Sequence, residues 1–198
     1  MLFEHMIEPF GSLVDAHDRA IEQPVVYHID ADYRLCLINR AWDAFAAANN
    51  GDHLYAVDTI GRSFWELIAD AEMSVRYRTL FTIVRADRPI SLTLRCDAPD
   101  RRRLLDLQLH HVHDGLIACV SGVVADTRRP AVRLLDRTLP RGGGQMQICS
   151  WCARLATRTD QWMEVEDAVQ ILGIDAATVL PQLVYTTCMA CQRLLTRL

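Results

Sequence analysis

The sequence predicts an α+β protein in which helices pack on an antiparallel sheet, with an amphipathic helix before the sheet and a small cysteine-rich module after it. Several short segments alternate apolar and polar residues as half-buried strands do, and an early segment repeats apolar residues at helical spacing. Two C-x-x-C motifs lie late in the sequence. With 198 residues, of which 51% are hydrophobic, the chain can pack one ordinary domain and a small one.

The composition argues against two classes of partner. The net charge is −4, and a mildly acidic chain has no general electrostatic attraction to nucleic acid or to anionic membranes. No apolar run approaches the roughly 20 residues that span a bilayer. The first residues do not resemble a secretion signal, so we expect a cytoplasmic protein whose cysteines are reduced.

Residues 1–22 are predicted to form an amphipathic helix. Phe3, Phe10 and Ile21 belong to a set of apolar residues at helical spacing, and Pro9 predicts a kink or a new start within it. Such an apolar stripe is too large to leave in water on a lone helix. We expect it to form a homodimer with a second copy, the alternative being that it folds back on its own sheet.

Strand signals begin directly after this helix. Residues 25–30 and 34–39 are rich in β-branched and apolar side chains and flank a short turn, which predicts a hairpin. A short helix is expected over residues 41–46. Residues 90–96 and 104–113 each alternate an apolar and a polar face, as a half-buried antiparallel sheet requires.

One stretch of this hairpin resembles a known family. The pattern Val26-x-x-Ile29-Asp30-Ala31-Asp32-x-Arg34-Leu35-x-x-Ile38-Asn39-x-Ala41-Trp42 is similar to the opening of a PAS domain. The later segments follow the same order: residues 61–68 resemble short helices beside a pocket, residues 71–85 a longer helix across the sheet, and residues 90–96, 104–113 and 116–124 the last three strands. The resemblance covers residues 23–126 and implies a five-stranded antiparallel sheet with helices on one face and a sensory role.

The PAS resemblance also implies where a small ligand would bind. The pocket would lie between the long helix and the inner face of the sheet, and its expected lining is Trp65, Tyr77, Phe81, Leu107, Leu109 and His111. This set is mostly apolar with a few polar groups, as ligand sites are. A filled core without a cavity is the alternative. Some PAS domains hold haem, for which His111 and His113 would be the candidate ligands.

Two cysteine pairs carry the most specific chemistry of the sequence. Cys149, Cys152, Cys188 and Cys191 form two C-x-x-C turns, and four thiolates suit a tetrahedral zinc site. We therefore predict a zinc ribbon or knuckle-like module over residues 147–198, with little core of its own. Two disulfides, a redox-active pair, four ordinary buried thiols and an iron–sulfur cluster are the alternatives.

The tail also resembles a cysteine module found after PAS and other sensory domains in bacterial proteins. Its usual form has a His-Gly before the second pair, whereas this chain has Tyr185-Thr186-Thr187, so only the cysteines remain as ligands. Residues 127–146 are expected to be a linker, which Gly142, Gly143 and Gly144 make flexible. Three arginines, Arg101, Arg102 and Arg103, are expected in a solvated hairpin turn.

The sequence contains no recognisable catalytic motif. A phosphate-binding glycine loop, a nucleophile elbow and an H-E-x-x-H motif are all missing, and Glu164 and Glu166 look like solvent-exposed acids. We expect a bacterial signal-sensing or interaction protein that is not an enzyme, binding a small ligand or a protein partner. The alternative is a redox or metal sensor in which the four cysteines are the switch.

Overall fold

A computed structural model describes residues 23–48, 51–68, 71–158 and 161–197. The predicted helix over residues 1–22, and the dimer contact assigned to it, lie outside these ranges. Two sheets are present within the described ranges. No described helix is long and apolar enough to cross a membrane.

The first sheet has five antiparallel strands in the order β2-β1-β5-β4-β3. The strands are β1 (Val25–Ile29), β2 (Leu35–Ile38), β3 (Ile90–Arg95), β4 (Arg101–His111) and β5 (Ile117–Arg128). Alternate residues of β4 are buried, and Leu107 pairs with Leu92 on one side and with Ser121 on the other. The predicted apolar face of this strand is therefore confirmed.

Four helices connect β2 to β3 and cover the inner face of the sheet. They are α1 (Arg40–Ala48), α2 (Ala56–Thr59), α3 (Phe64–Leu67) and α4 (Ala71–Arg85). Helix α4 buries Leu80, Phe81 and Val84, which recur at helical spacing. The order of strands and helices is the one that the resemblance to PAS domains implies.

The second sheet forms the carboxyl-terminal module. Its strands are β6 (Arg141–Cys149), β7 (Leu155–Arg158), β8 (Gln161–Met163) and β9 (Leu180–Thr186), in the order β8-β7-β6-β9, with helices α5 (Val165–Ile171) and α6 (Met189–Leu195). Strand β6 pairs antiparallel with β7 and parallel with β9.

The module has a hydrophobic core of its own, so the expectation of little core was wrong. Its buried members are Val132, Leu134, Ile148, Leu155, Val165, Ala168, Val169, Ile174 and Leu180. Helix α5 supplies three of them on one face. The core also includes residues before β6, because the 3₁₀ turn Arg133–Leu135 packs its central leucine into the module.

The expected flexible linker over residues 127–146 is largely structured. Its start belongs to β5, and its three consecutive glycines lie in β6. A Cβ atom on Gly142 would come within 2.7 Å of the Val179 Cγ1 atom. Glycine within a strand often marks such a close approach of neighbouring chain. Gly142 therefore allows close packing of β6 against the segment that carries Val179.

The two sheets share a second hydrophobic cluster. Cys149, Trp151, Cys188 and Cys191 of the module are buried in the same cluster as Phe81 and the other core residues of the first sheet. The backbone N–H of Arg95, at the end of β3, also donates to the Trp151 carbonyl at 2.8 Å. The cysteine-bearing end of the module is therefore part of the core of the PAS-like domain.

Candidate metal centre and ligand cavity

The first cysteine pair lies at the turn from β6 to β7. Cys149 ends β6, and its N–H donates to the Arg154 carbonyl across the turn at 2.8 Å. The Ala153 N–H donates to the Cys149 carbonyl at 2.9 Å, and Ala153 is left-handed with φ 56°. This tight turn is the knuckle that the first C-x-x-C motif predicts, and it brings the Cys149 and Cys152 sulfurs to one site.

The second pair lies at the start of α6. Cys188 caps this helix, and its sulfur accepts the Cys191 N–H at 3.5 Å. The Cys188 N–H donates to the Cys149 sulfur at 3.4 Å, which joins the two pairs. A zinc ribbon would carry its second pair on another hairpin, whereas this module has one knuckle and one helix start.

The four cysteine sulfurs form one compact cluster. All four Sγ atoms lie within 4.8 Å of one another, and those of Cys152 and Cys188 are 3.8 Å apart. Cys149, Cys188 and Cys191 are buried, and Cys152 is half-buried. Four convergent sulfurs in this arrangement can hold a metal ion.

The close thiols change one another's protonation. Hydrogen bonds from Cys152 and Cys191 lower the pKa of Cys149 far below its ordinary value. The hydrogen bond with Cys149 raises the pKa of Cys152 to about 12, and hydrogen bonds with Cys149 and Cys152 raise that of Cys191. One thiolate is favoured and further ionisation is opposed, because adjacent thiolates repel. A bound cation would remove that repulsion and release the remaining protons.

A cavity of about 640 Å³ lies between α1 and the inner face of the first sheet. Trp42 and Phe45 line it from the helix, and Leu105 and Leu107 line it from β4. Its remaining apolar and aromatic lining is Val25, Tyr27, Ala41, Ala44, Ala46, Leu54, Tyr77, Leu94 and Val123, with Gly51 beside them. Polar groups come from Gln23, Arg40 and Ser121.

Only two of the six residues predicted to line a pocket line this cavity. Tyr77 and Leu107 line the cavity, whereas Phe81 and Leu109 are fully buried in the core. The Trp65 ring packs against Phe81 with 5.8 Å between centroids. These large side chains fill the space between α4 and the sheet, so the open space lies under α1. The short helix predicted over residues 41–46 was not expected to form a wall of the pocket.

His111 lies outside the cavity and near the end of β4. Its Nδ1 atom is 2.5 Å from an Asp87 carboxylate oxygen, and the His111 side chain is partly exposed. His113 is mostly exposed beside Asp114. No histidine is among the described residues that line the cavity, so these residues offer no imidazole ligand for haem.

An ion-pair network joins the first sheet to the module. The Asp97 carboxylate is almost fully buried and pairs with Arg95 and, at 3.1 Å, with Arg129. Glu164 of the module pairs with Arg95 at 3.0 Å and with Arg154 at 2.9 Å. Glu166 also belongs to the network and pairs with Arg129 at 2.6 Å and with Arg102 at 3.1 Å.

This network corrects two expectations. The three arginines at 101–103 belong to β4 and not to a solvated turn, because the turn lies before them, where Ala98 bridges to Arg101. Arg101 pairs with Asp126 on β5, Arg102 pairs with the module, and Arg103 is buried. The two glutamates are likewise paired and not free in solvent. Local sequence did not indicate these pairs, since Arg95 and Glu164 are 69 residues apart and Arg102 and Glu166 are 64 apart.

Comparisons with known proteins give likenesses to PAS domains. No protein-family model matches this sequence, and no curated protein matches it. One similar solved structure is the PAS domain of the quorum-sensing receptor RpfR from Cronobacter turicensis, in complex with C12:0. It is 18% identical, covers 57% of this chain and 100% of that chain, and has a TM-score of 0.38.

Two further structures are similar at the same level. A domain of an HTR-like protein from Haloarcula marismortui is 12% identical, covers 52% of this chain and 98% of that chain, and has a TM-score of 0.37. A sensory box sensor histidine kinase from Vibrio cholerae is 14% identical, covers 52% and 82%, and has a TM-score of 0.37. Likeness at this level says nothing about the ligand, partner or activity of this chain.

Proposed function

We propose that this chain is a signal-sensing protein without catalytic activity, in which the PAS-like domain binds a small molecule and the module acts on a protein partner. The cavity under α1 is the observation that carries the proposal. Its volume of about 640 Å³ lies within the range of about 300–1,000 Å³ that is usual for small-molecule sites. The PAS-like order of elements supports the same role.

The lining of the cavity favours a mostly apolar ligand with one polar group. Aromatic and aliphatic side chains form most of the wall, and Gln23, Arg40 and Ser121 supply hydrogen-bonding groups. Such a combination binds through burial of apolar surface, while a few polar contacts set the orientation of the ligand.

A cavity-filling variant tests ligand binding. Ser121 lies on the inner face of β5 and lines the cavity, whereas Ser91 is exposed on β3. We expect a ligand found by thermal-shift screening of apolar metabolites to stabilise the wild type and the control Ser91→Trp, and to leave Ser121→Trp unchanged. No stabilisation of the wild type by any member of the panel would refute the small-molecule function and leave a protein-interaction role.

We further propose that the four cysteines bind one zinc ion. A tetrahedral zinc with sulfur ligands at about 2.3 Å places those sulfurs about 3.8 Å apart. The Cys152 and Cys188 sulfurs are separated by 3.8 Å, and the whole set lies within 4.8 Å. An iron–sulfur cluster binds its cysteines through different irons, which would spread the sulfurs further apart. Zinc fixes the knuckle against the start of α6 and takes no part in a reaction.

Metal analysis tests the zinc proposal. We expect about one zinc per chain in the purified wild type and in Cys36→Ser, a control that removes an exposed cysteine outside the cluster. Cys152→Ser should lose most of the metal, because a ligand is gone. Iron in place of zinc, or a metal content that Cys152→Ser leaves unchanged, would show that the assignment is wrong.

The second candidate function is a redox switch at the same cysteines. Cys152 is half-buried, and its sulfur lies 3.8 Å from that of Cys188, within reach of a rearrangement to a disulfide. Hydrogen peroxide would take two electrons from these two metal-bound thiolates and two protons from solvent, form the S–S bond, give two waters and release the metal. Reversible zinc release at micromolar peroxide would favour this function, and retention of zinc would favour the structural role.

A further inference from the structure

One side chain of the metal-binding turn belongs to the core of the other domain. Trp151 lies between Cys149 and Cys152 in the knuckle, yet only 5% of it is exposed and it packs in the cluster of the PAS-like domain. Its indole N–H is buried without a hydrogen-bond partner in the described ranges. Packing and the backbone of the knuckle therefore hold this ring in place.

Trp151 contacts two elements that form the cavity wall. Its ring lies 6.3 Å from that of Tyr77 on α4, and Tyr77 lines the cavity. Its carbonyl accepts the N–H of Arg95 on β3 at 2.8 Å, and the neighbouring residue Leu94 also lines the cavity. A shift of Trp151 would therefore leave the Tyr77 side chain free to move. It would also loosen β3, the strand that carries Leu94.

The position of Trp151 depends on the cysteine cluster. The ring is separated from each knuckle cysteine by at most one residue, so a metal held by Cys149 and Cys152 fixes the backbone on both sides of it. The rest of the module has other attachments, namely its own core and the pairs of Glu164 and Glu166 with arginines. Metal loss should release the knuckle while the module stays folded and docked.

We propose that Trp151 couples metal binding at the four cysteines to ligand binding in the cavity. With the metal bound, the knuckle holds Trp151 against Tyr77 and β3, and the cavity wall is fixed before the ligand arrives. Without the metal the wall is free to move, so the ligand must also order it. By linkage, a ligand that favours the ordered wall strengthens metal binding by the same factor. This inference rests on the proposed function of both sites.

Fluorescence titration of the full chain with 1-anilinonaphthalene-8-sulfonate, an apolar probe, tests the coupling. We expect zinc removal by a chelator to raise the dissociation constant of the probe at least fivefold, the lower end of typical coupling between sites. Trp151→Ala, with its zinc content verified, should show the same loss. Trp151→Phe keeps a ring against Tyr77 and should remain within twofold of wild type.

These outcomes distinguish failure of the coupling from failure of the proposed ligand site. If Ser121→Trp binds the probe as the wild type does, the probe is not in the cavity, and the ligand site and the coupling both fail. If Ser121→Trp blocks probe binding, the cavity is the binding site. If zinc removal and Trp151→Ala then leave probe binding unchanged, the coupling is refuted.

The reciprocal effect needs no variant. At equilibrium with a coloured chelator, the wild type should retain more zinc when the probe saturates the cavity. An unchanged zinc affinity overturns the coupling even if Trp151→Ala fails to fold.

Discussion

Gly142 shows how a single position limits the packing of the module. It lies in β6, and an added Cβ atom would meet Val179 Cγ1 at 2.7 Å, whereas a Cβ on Gly143 would meet nothing within 4 Å. We expect Gly142→Ala to lower the free energy of unfolding by about 1–3 kcal/mol, as overpacking does. Gly143→Ala should stay within about 0.5 kcal/mol of wild type. Urea unfolding measures both, and equal effects would show that Val179 moves away freely.

Asp97 is the residue on which the ion-pair network depends most. Its side chain is 2% exposed, pairs with Arg95 and Arg129, and accepts the Arg103 N–H at 3.2 Å. Asp97→Asn removes the buried carboxylate that both guanidiniums share and leaves them only the more exposed Glu164 and Glu166, so we expect a loss of about 3 kcal/mol in unfolding free energy. Asp114→Asn, at a side chain that is 98% exposed, is the matched control. A loss below about 1 kcal/mol would mean that the network adds little.

At the scale of elements, the contact between the first sheet and the module should weaken in acid. Burial opposes ionisation of Glu164 and Glu166, but hydrogen bonds from Arg154 and Arg95 to Glu164, and from Arg129 and Arg102 to Glu166, outweigh it. The pKa of each carboxyl is therefore lowered from its ordinary value of 4.5.

A carboxyl group whose pKa is lowered by folding stabilises the folded state above its ordinary pKa. That contribution disappears as the pH falls below 4.5 through the folded-state value. Because both groups are partly exposed, we expect only about 1 kcal/mol from each. Wild type should lose more unfolding free energy between pH 6 and pH 3 than Glu164→Gln and Glu166→Gln do. Parallel pH profiles for all three proteins would contradict this.

Local elements were predicted well from the sequence, and contacts between distant elements were not. Helix α4 (Ala71–Arg85) has the predicted bounds, and both cysteine pairs converge as their spacing indicated. The parallel pairing of β6 with β9 and the arginine–glutamate network join distant segments, and neither has a local periodic signal. The cavity was misplaced because side-chain volume decides which part of an apolar face is filled, and periodicity shows only which face is apolar.

At the scale of the whole molecule, the homodimer predicted from residues 1–22 needs an experiment, because these residues lie outside the described ranges. The apolar stripe from Phe3 to Ile21 is the reason to expect self-association. Light scattering should give a dimer for the full chain and a monomer for a version that begins at Gln23. If both proteins are monomers, the stripe packs within its own chain. If both are dimers, the dimer contact lies elsewhere.

The pairing of β6 with β9 also sets an order of events during synthesis. All strand pairs of the first sheet are made by residues up to Arg128, so these strands can pair while the module is still being made. Strand β6 must wait for its parallel partner, and Cys149 must wait for Cys188. Throughout that interval the nascent PAS-like domain displays the bare surface that Trp151 later covers.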